Sequence, residues 1–190
     1  MPDQLCLSLW LRGFDAHSML GRFEDLLRVF PFSRLRPGIS ALRIYALEFS
    51  EPALFEQLFA AEAGVETVAG LFNQFRNADC AYLVEGWWEL WRHDTQWQLA
   101  PAPLTLTCFG PDFDNEAGDH LRLDLGAETD FLPQPDVPES ARKARSNLQG
   151  LLRLTRDIQD VLPVARRRLW SESGEDFAAR LDEAVPEEVD

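Results

Sequence analysis

The sequence predicts an α+β protein: a mainly antiparallel sheet of about five to seven strands packed by helices, with a C-terminal helical section. Three observations predict it. Strand-like and helix-like segments come in blocks, unlike the regular alternation of a doubly wound sheet. Residues 80–110 are dense in aromatic and β-branched or apolar residues and hold a turn signal at His93-Asp94-Thr95. From Glu139 onward the apolar residues recur three to four apart, which is the period of a helix. The chain divides into a sheet domain over 1–132 and a helical section over 139–185 packed on it, and the two are expected to form one cooperative unit. With 190 residues and 46% hydrophobic content, the chain can bury one core.

The first strand covers residues 4–12, where Leu5, Leu7, Leu9 and Leu11 alternate with Cys6, Ser8, Trp10 and Arg12. Gly13-Phe14-Asp15 turns the chain. Asp15 is a good helix cap, and Leu20, Phe23, Leu27 and Phe30 follow at helical spacing until Pro31. Ser33 to Gly38 is a loop, and residues 39–49 are a second strand. Ser50-Glu51-Pro52 predicts a helix start, followed by Leu54, Leu58 and Ala61, with Gly64 as an interruption and Val65 to Phe75 resuming the helix with Val68, Leu71, Phe72 and Phe75 on one side. Cys80 to Arg92 and Gln96 to Ala100 form a hairpin. Pro101 and Pro103 are expected to break the run before a further strand from Leu104 to Phe109. An acidic loop leads to a short strand over 120–125. Pro133, Pro135 and Pro138 then stiffen a linker. In the last section Leu148, Leu151, Leu152, Ile158, Leu162, Ala165 and Leu169 read as one helical stripe, with Pro163 ending or kinking the first helix. Ser173 caps a final helix with Phe177 and Leu181 inward.

Composition excludes more chemistry than it suggests. Seventeen of the 18 basic residues are arginine, and Lys143 is the single lysine. Lys143 follows Arg142 in a polar helical stretch, so a phosphate loop ending in Gly-Lys-Ser/Thr, a Schiff-base lysine and the kinase and penicillin-binding signatures all fail. Cys6, Cys80 and Cys108 lie far apart in strand-like runs and read as buried, reduced thiols. His17, His93 and His120 make no zinc pattern. No cofactor is expected. Asp112, Asp114, Glu116 and Asp119 could gather round a hard cation, although the calcium-loop pattern fails at Ala117 and Leu123.

The net charge of −14 is segregated. Residues 141–170 carry eight basic groups against Asp157 and Asp160, between two strongly acidic stretches. The overall field repels phosphate backbones, so nucleic acid is not an expected partner. No apolar run reaches the roughly 20 residues of a membrane span. The start lacks a basic signal-peptide region, which makes the cytoplasm the expected location. The arginine bias matches a bacterial genome rich in G and C.

Two surfaces stand out. On a strand, Trp87, Glu89, Trp91 and His93 share one face, while Trp88, Leu90 and Arg92 share the other. One tryptophan face is expected beneath the helices. The Trp87/Trp91 face either makes cross-strand aromatic pairs or is a partly exposed binding surface. Arg166, Arg167 and Arg168, just after Pro163, are the second candidate; they contact an acidic partner or are neutralised by the chain's own acids. Taken together, these features predict a non-enzymatic cytoplasmic module, an adaptor, inhibitor or immunity-type protein, that binds another protein. A small-molecule binder with a tryptophan-lined pocket and a carboxylate-based, metal-dependent hydrolase are the alternatives.

Overall fold

The computed structural model describes residues 3–61 and 63–171. The cap at Ser173 and the final helix through Phe177 and Leu181 fall outside the described residues. In chain order the elements are β1 (Gln4–Leu11), α1 (Met19–Val29), β2 (Ile39–Ala46), β3 (Phe55–Leu58), α2 (Val65–Gln74), β4 (Cys80–His93), β5 (Trp97–Phe109), β6 (Leu121–Ala127), a 3-10 turn (Glu128–Phe131), α3 (Ser140–Val161) and β7 (Val164–Ser171). The seven strands make a single antiparallel sheet in the order β3-β2-β4-β5-β6-β1-β7. This is the α+β class that the block pattern predicts. Among the described residues no helix is long and apolar enough to cross a membrane.

Strand alternation separates the two faces of the sheet. Leu5, Leu7 and Leu9 of β1, Leu121 and Leu123 of β6, and Tyr82, Val84, Trp88 and Leu90 of β4 join Phe23 and Leu27 of α1, Phe72 of α2, and Leu151, Leu154 and Ile158 of α3 in one core. The helices therefore cover this face. The opposite face holds Ser8, Trp10, Arg43, Glu85, Thr107 and Arg122, plus a small cluster of Ala81, Phe109 and Phe113 packed with Tyr45 and Leu83.

Three expectations need correction. Residues 55–58 form β3, not a helix. Leu54 and Leu58 are four apart, and a spacing of four keeps two residues on one face of a strand as well as of a helix. Pairing with β2 from Ala41↔Leu58 to Ile44↔Phe55 decides the matter, and Phe55 stacks on Phe75 with centroids 4.8 Å apart. Second, β5 runs unbroken through Pro101 and Pro103. The Phe109 N–H donates to the His120 carbonyl at 3.0 Å, so odd-numbered residues of β5 turn their main chain toward β6. Pairing with β6 ends at Thr105↔Asp124, so both prolines lack a donor only where no strand needs one. Third, residues 164–171 form strand β7 along β1, from Leu5↔Ser171 to Leu11↔Val164, where the stripe ending in Leu169 predicted a helix. Pro163 does end α3 near Val161, but Leu169 reaches the core from a strand, opposite Leu7.

Candidate functional site: the hairpin arm and its groove

The β4–β5 hairpin is longer than its neighbours. β2 pairs with β4 only as far as Ile39↔Gly86, and from Trp87 onward the free edge of β4 needs other partners. The loop after α1 supplies the first. The Trp87 N–H donates to the Gly38 carbonyl at 2.9 Å, and the Ser33 N–H donates to the Trp87 carbonyl at 2.7 Å. A side chain at Gly86 would stand 2.1 Å from the Gly38 oxygen, so only glycine allows this approach. One side chain of α3 supplies the second. The Trp91 N–H donates to Asn147 Oδ1 at 2.8 Å, and Asn147 Nδ2 donates to the Trp91 carbonyl at 2.9 Å and to the Asp130 carbonyl at 2.7 Å. The Asn147 amide thus occupies the place of a neighbouring strand.

Alternation turns the Glu89 main chain to the same edge, midway between these clamps. A groove of ≈ 470 Å³ opens there. Pro31 and Phe32 form one wall, Trp88, Glu89 and Trp91 the floor, and Asn147, Gly150 and Leu154 of α3 the other wall. Arg34, Arg153 and Asp157 stand at its rim. Among the described residues neither the Arg34 nor the Arg153 guanidinium has an ion-pair or hydrogen-bond partner. Arg153 and Asp157 are four apart on α3 but form no ion pair. The Glu89 carboxylate is fixed on the loop side. Oε1 accepts from Ser33 Oγ at 3.1 Å, from the Arg34 N–H at 2.6 Å and from the Leu35 N–H at 3.3 Å.

The other sequence-predicted residues fall around this arm or far from it. Trp87 lies under Arg36, whose Cζ is 4.4 Å from the ring centroid, and Trp91 lies under Lys143, with Nζ 3.1 Å away. His93, exposed near the hairpin tip, meets Trp97 edge-on at 5.2 Å. Arg166, Arg167 and Arg168 lie on the far edge of the sheet, four strands from β4, and do not join the tryptophans. Arg166 stacks on Trp10 at 3.8 Å, and Arg168 stands 5.8 Å from the Trp170 ring. Arg167 points to the opposite face, where it donates to Gln159 Oε1 at 2.7 Å. The expected basic triplet is therefore divided between two faces by the strand. The sequence reading missed Arg34, Asn147, Gly150 and Arg153. Asn147 left a signal: it interrupts the stripe Ala144, Asn147, Leu151, Leu154, Ile158 with a buried amide.

The acidic loop has a structural use. Asp119 accepts two bonds from Arg122, at 2.9 and 2.8 Å, one from Ser8 Oγ at 2.6 Å and one from Asn115 at 2.8 Å. Burial alone would raise its pKa, but the bonds from Arg122, Ser8 and Asn115 outweigh it and hold the carboxyl below the usual range. Trp170 Nε1 donates to the same Ser8 oxygen at 3.0 Å. Among the described residues no three His, Cys, Asp or Glu side chains gather as a metal site requires. The thiols are buried. Desolvation pushes Cys80 up to about 11 and raises Cys108 further, so neither is a ready nucleophile. Comparison with protein-family models, with curated proteins and with solved structures found no match.

Proposed function

We propose that the protein is a protein-binding module, and that the groove beside the hairpin arm takes an apolar anchor flanked by a carboxylate from a partner chain. The observation that carries this reading is the pair of partnerless guanidiniums, Arg34 and Arg153, at the rim of an apolar groove. The Trp88, Phe32 and Leu154 surfaces favour an aromatic or leucine side chain. A carboxylate beside that anchor would give either arginine a planar, two-pronged partner. The chain's −14 charge disfavours acidic partners in general, but α3 belongs to the basic stretch 141–170, which supports their approach from this side.

One observation favours a second reading, a small organic anion. The clamps at Trp87 and Trp91, with the Phe32–Trp88 bridge between them, leave no room for an added strand, and ≈ 470 Å³ is the size of a small-molecule site.

Gly150 makes both readings testable. A Cβ there meets nothing within 4 Å, so a side chain can leave the helix at this point, and Gly150→Trp is the variant expected to fill the groove. Selection from a random displayed-peptide library is expected to return sequences pairing an aromatic or leucine with an adjacent acid. Binding, read by the emission of Trp88 and Trp91, should vanish in Gly150→Trp. It should weaken about tenfold or more in Arg34→Gln or Arg153→Gln, from the loss of a charge-assisted bond. If no peptide is enriched but a panel of aromatic carboxylates raises the melting temperature of the wild type and not of Gly150→Trp, the small-molecule reading holds instead. If neither set distinguishes wild type from Gly150→Trp, the groove is not a binding site.

A further inference from the structure

We infer that the groove beside the hairpin arm is held by the chain's own segment 172–190, which occupies it until a partner displaces it. This occupant presupposes that the groove takes an apolar anchor beside a carboxylate, as proposed above. The segment carries that pattern twice, as Asp176-Phe177 and as Leu181-Asp182. Phe177 and Leu181 are four apart, a spacing that keeps both on one face of a helix or of a strand. The groove offers Phe32, Trp88 and Leu154 to receive them.

Charge supplies the second observation. Residues 172–190 hold eight acidic groups and one base, Arg180. The rim of the groove holds Arg34 and Arg153, each without an anionic partner among the described residues, and Asp157, which makes no ion pair there. The segment therefore brings carboxylates to two guanidiniums and a guanidinium to the rim carboxylate. Arg153 belongs to the basic stretch 141–170 of a chain whose net charge is −14. An acidic segment is drawn to α3 and repelled by most of the remaining surface.

The reach is sufficient. Ser171 pairs with Leu5, and Gln4 beside it pairs with Ala127. Ala127 leads into the 3-10 turn, where Phe131 stacks on Trp88 of the groove floor with centroids 6.0 Å apart. β7 therefore leaves the sheet at the end from which the arm projects. It lies four strands from β4, about 19 Å at the usual strand spacing. The width of α3 adds about 10 Å. Extended chain covers about 3.3 Å per residue, which puts Phe177 up to about 20 Å and Leu181 up to about 33 Å from Ser171. So short a tether gives an effective concentration in the millimolar range, which favours the chain's own segment over a free peptide of the same sequence.

Fluorescence anisotropy of a labelled synthetic peptide of residues 172–190, titrated with full-length chains, tests this. Phe177→Ala with Leu181→Ala removes both anchors from the chain's own segment and leaves every buried residue described above in place. The peptide should bind this double variant about tenfold or more tightly than the wild type, whose groove is already filled. Adding Gly150→Trp to the double variant should abolish binding, and adding Arg34→Gln or Arg153→Gln should weaken it. Adding Arg166→Gln with Arg168→Gln should change nothing; a loss there would put the segment on β7 and overturn the inference. No binding to the double variant overturns it, as does equal affinity for the wild type, or binding that survives Gly150→Trp. Sedimentation equilibrium of the wild type should give one chain. A two-chain mass that returns to one in the double variant would show segments exchanged between copies, and would overturn occupation by the chain's own segment. Displayed peptides that bind the groove while the 172–190 peptide does not would leave the proposed function standing and refute this occupant. The reverse result would support this occupant and remove the outside partner.

Discussion

The two halves of the β4–β5 hairpin show what a strand gains from its neighbours. Residues 80–86 lie between β2 and β5, and residues 105–108 lie between β4 and β6, so in the body of the sheet main-chain groups meet main-chain groups. Beyond Gly86 and Thr105 the same two strands have only each other. Their outer edges are finished by a loop, by the Asn147 amide and by two prolines that remove the donors altogether. The body is closed on every side by repetition of one pattern. The arm is closed by single devices, and the space between two of them is the groove.

The largest expected effect separates the halves directly. Leu106 in the body is fully buried, while Leu99 in the arm is 43% exposed. Leu106→Ala should cost about 2–5 kcal/mol, from lost transfer energy plus a cavity. Leu99→Ala should change stability by no more than about 0.5 kcal/mol. Urea denaturation of both variants checks this. Equal losses would mean that the arm is as tightly packed as the body, and the division above would fail.

The next effect isolates one device. Asn147→Ala removes an acceptor from the Trp91 N–H and a donor from the Trp91 and Asp130 carbonyls. Leaving such groups without partners should cost about 1–3 kcal/mol. Hydrogen exchange should localise the loss: the Trp91 amide should exchange faster, with the amides of residues 80–86 protected as before. Uniformly faster exchange across both halves would show that the clamp supports the whole sheet and not the arm.

The body was legible in the sequence because one pattern fixes it. Leu5 to Leu11 and Leu121 to Leu125 alternate without exception, and the hairpin turn at His93-Asp94-Thr95 sits between two long apolar runs. Both edge strands were misread as helical for one reason. Each rests on apolar residues four apart, Leu54 and Leu58 in one case and Ala165 and Leu169 in the other, and an even spacing fits both periods. Of the tryptophan cluster, Trp88 and Trp91 line the groove. The conspicuous triplet 166–168 lies on the far edge strand, while the two guanidiniums at the groove rim come from a loop and from one turn of a long helix, segments about 120 residues apart that only the packing of α3 beside β4 brings together.

The smallest effect concerns two buried carboxylates whose surroundings act with opposite sign. Asp119, in the body, is held below the usual carboxylate range because the bonds from Arg122, Ser8 and Asn115 outweigh its burial. Its ionised form is favoured by folding, so its contribution is present above the ordinary pKa and is lost as pH falls through the lowered folded value. Asp130, at the arm, is pushed up because burial outweighs the attraction of Arg92, whose Nε lies 3.2 Å away. Here the protonated form is favoured by folding. The contribution of Asp130 is full in acid and is lost as pH rises through the raised folded value. Melting curves of the wild type, Asp119→Asn and Asp130→Asn, taken from about pH 3 to pH 7, should therefore diverge in opposite senses. The deficit of Asp119→Asn should be greatest near neutrality and should close in acid. Asp130→Asn should match the wild type in acid and equal or exceed it near neutrality, because the substitution removes a buried charge and keeps the shape of the side chain. A neutral-pH deficit in Asp130→Asn as large as that in Asp119→Asn would show that Arg92 holds its partner as firmly as Arg122 does, and that the arm is braced by charge in the same way as the body.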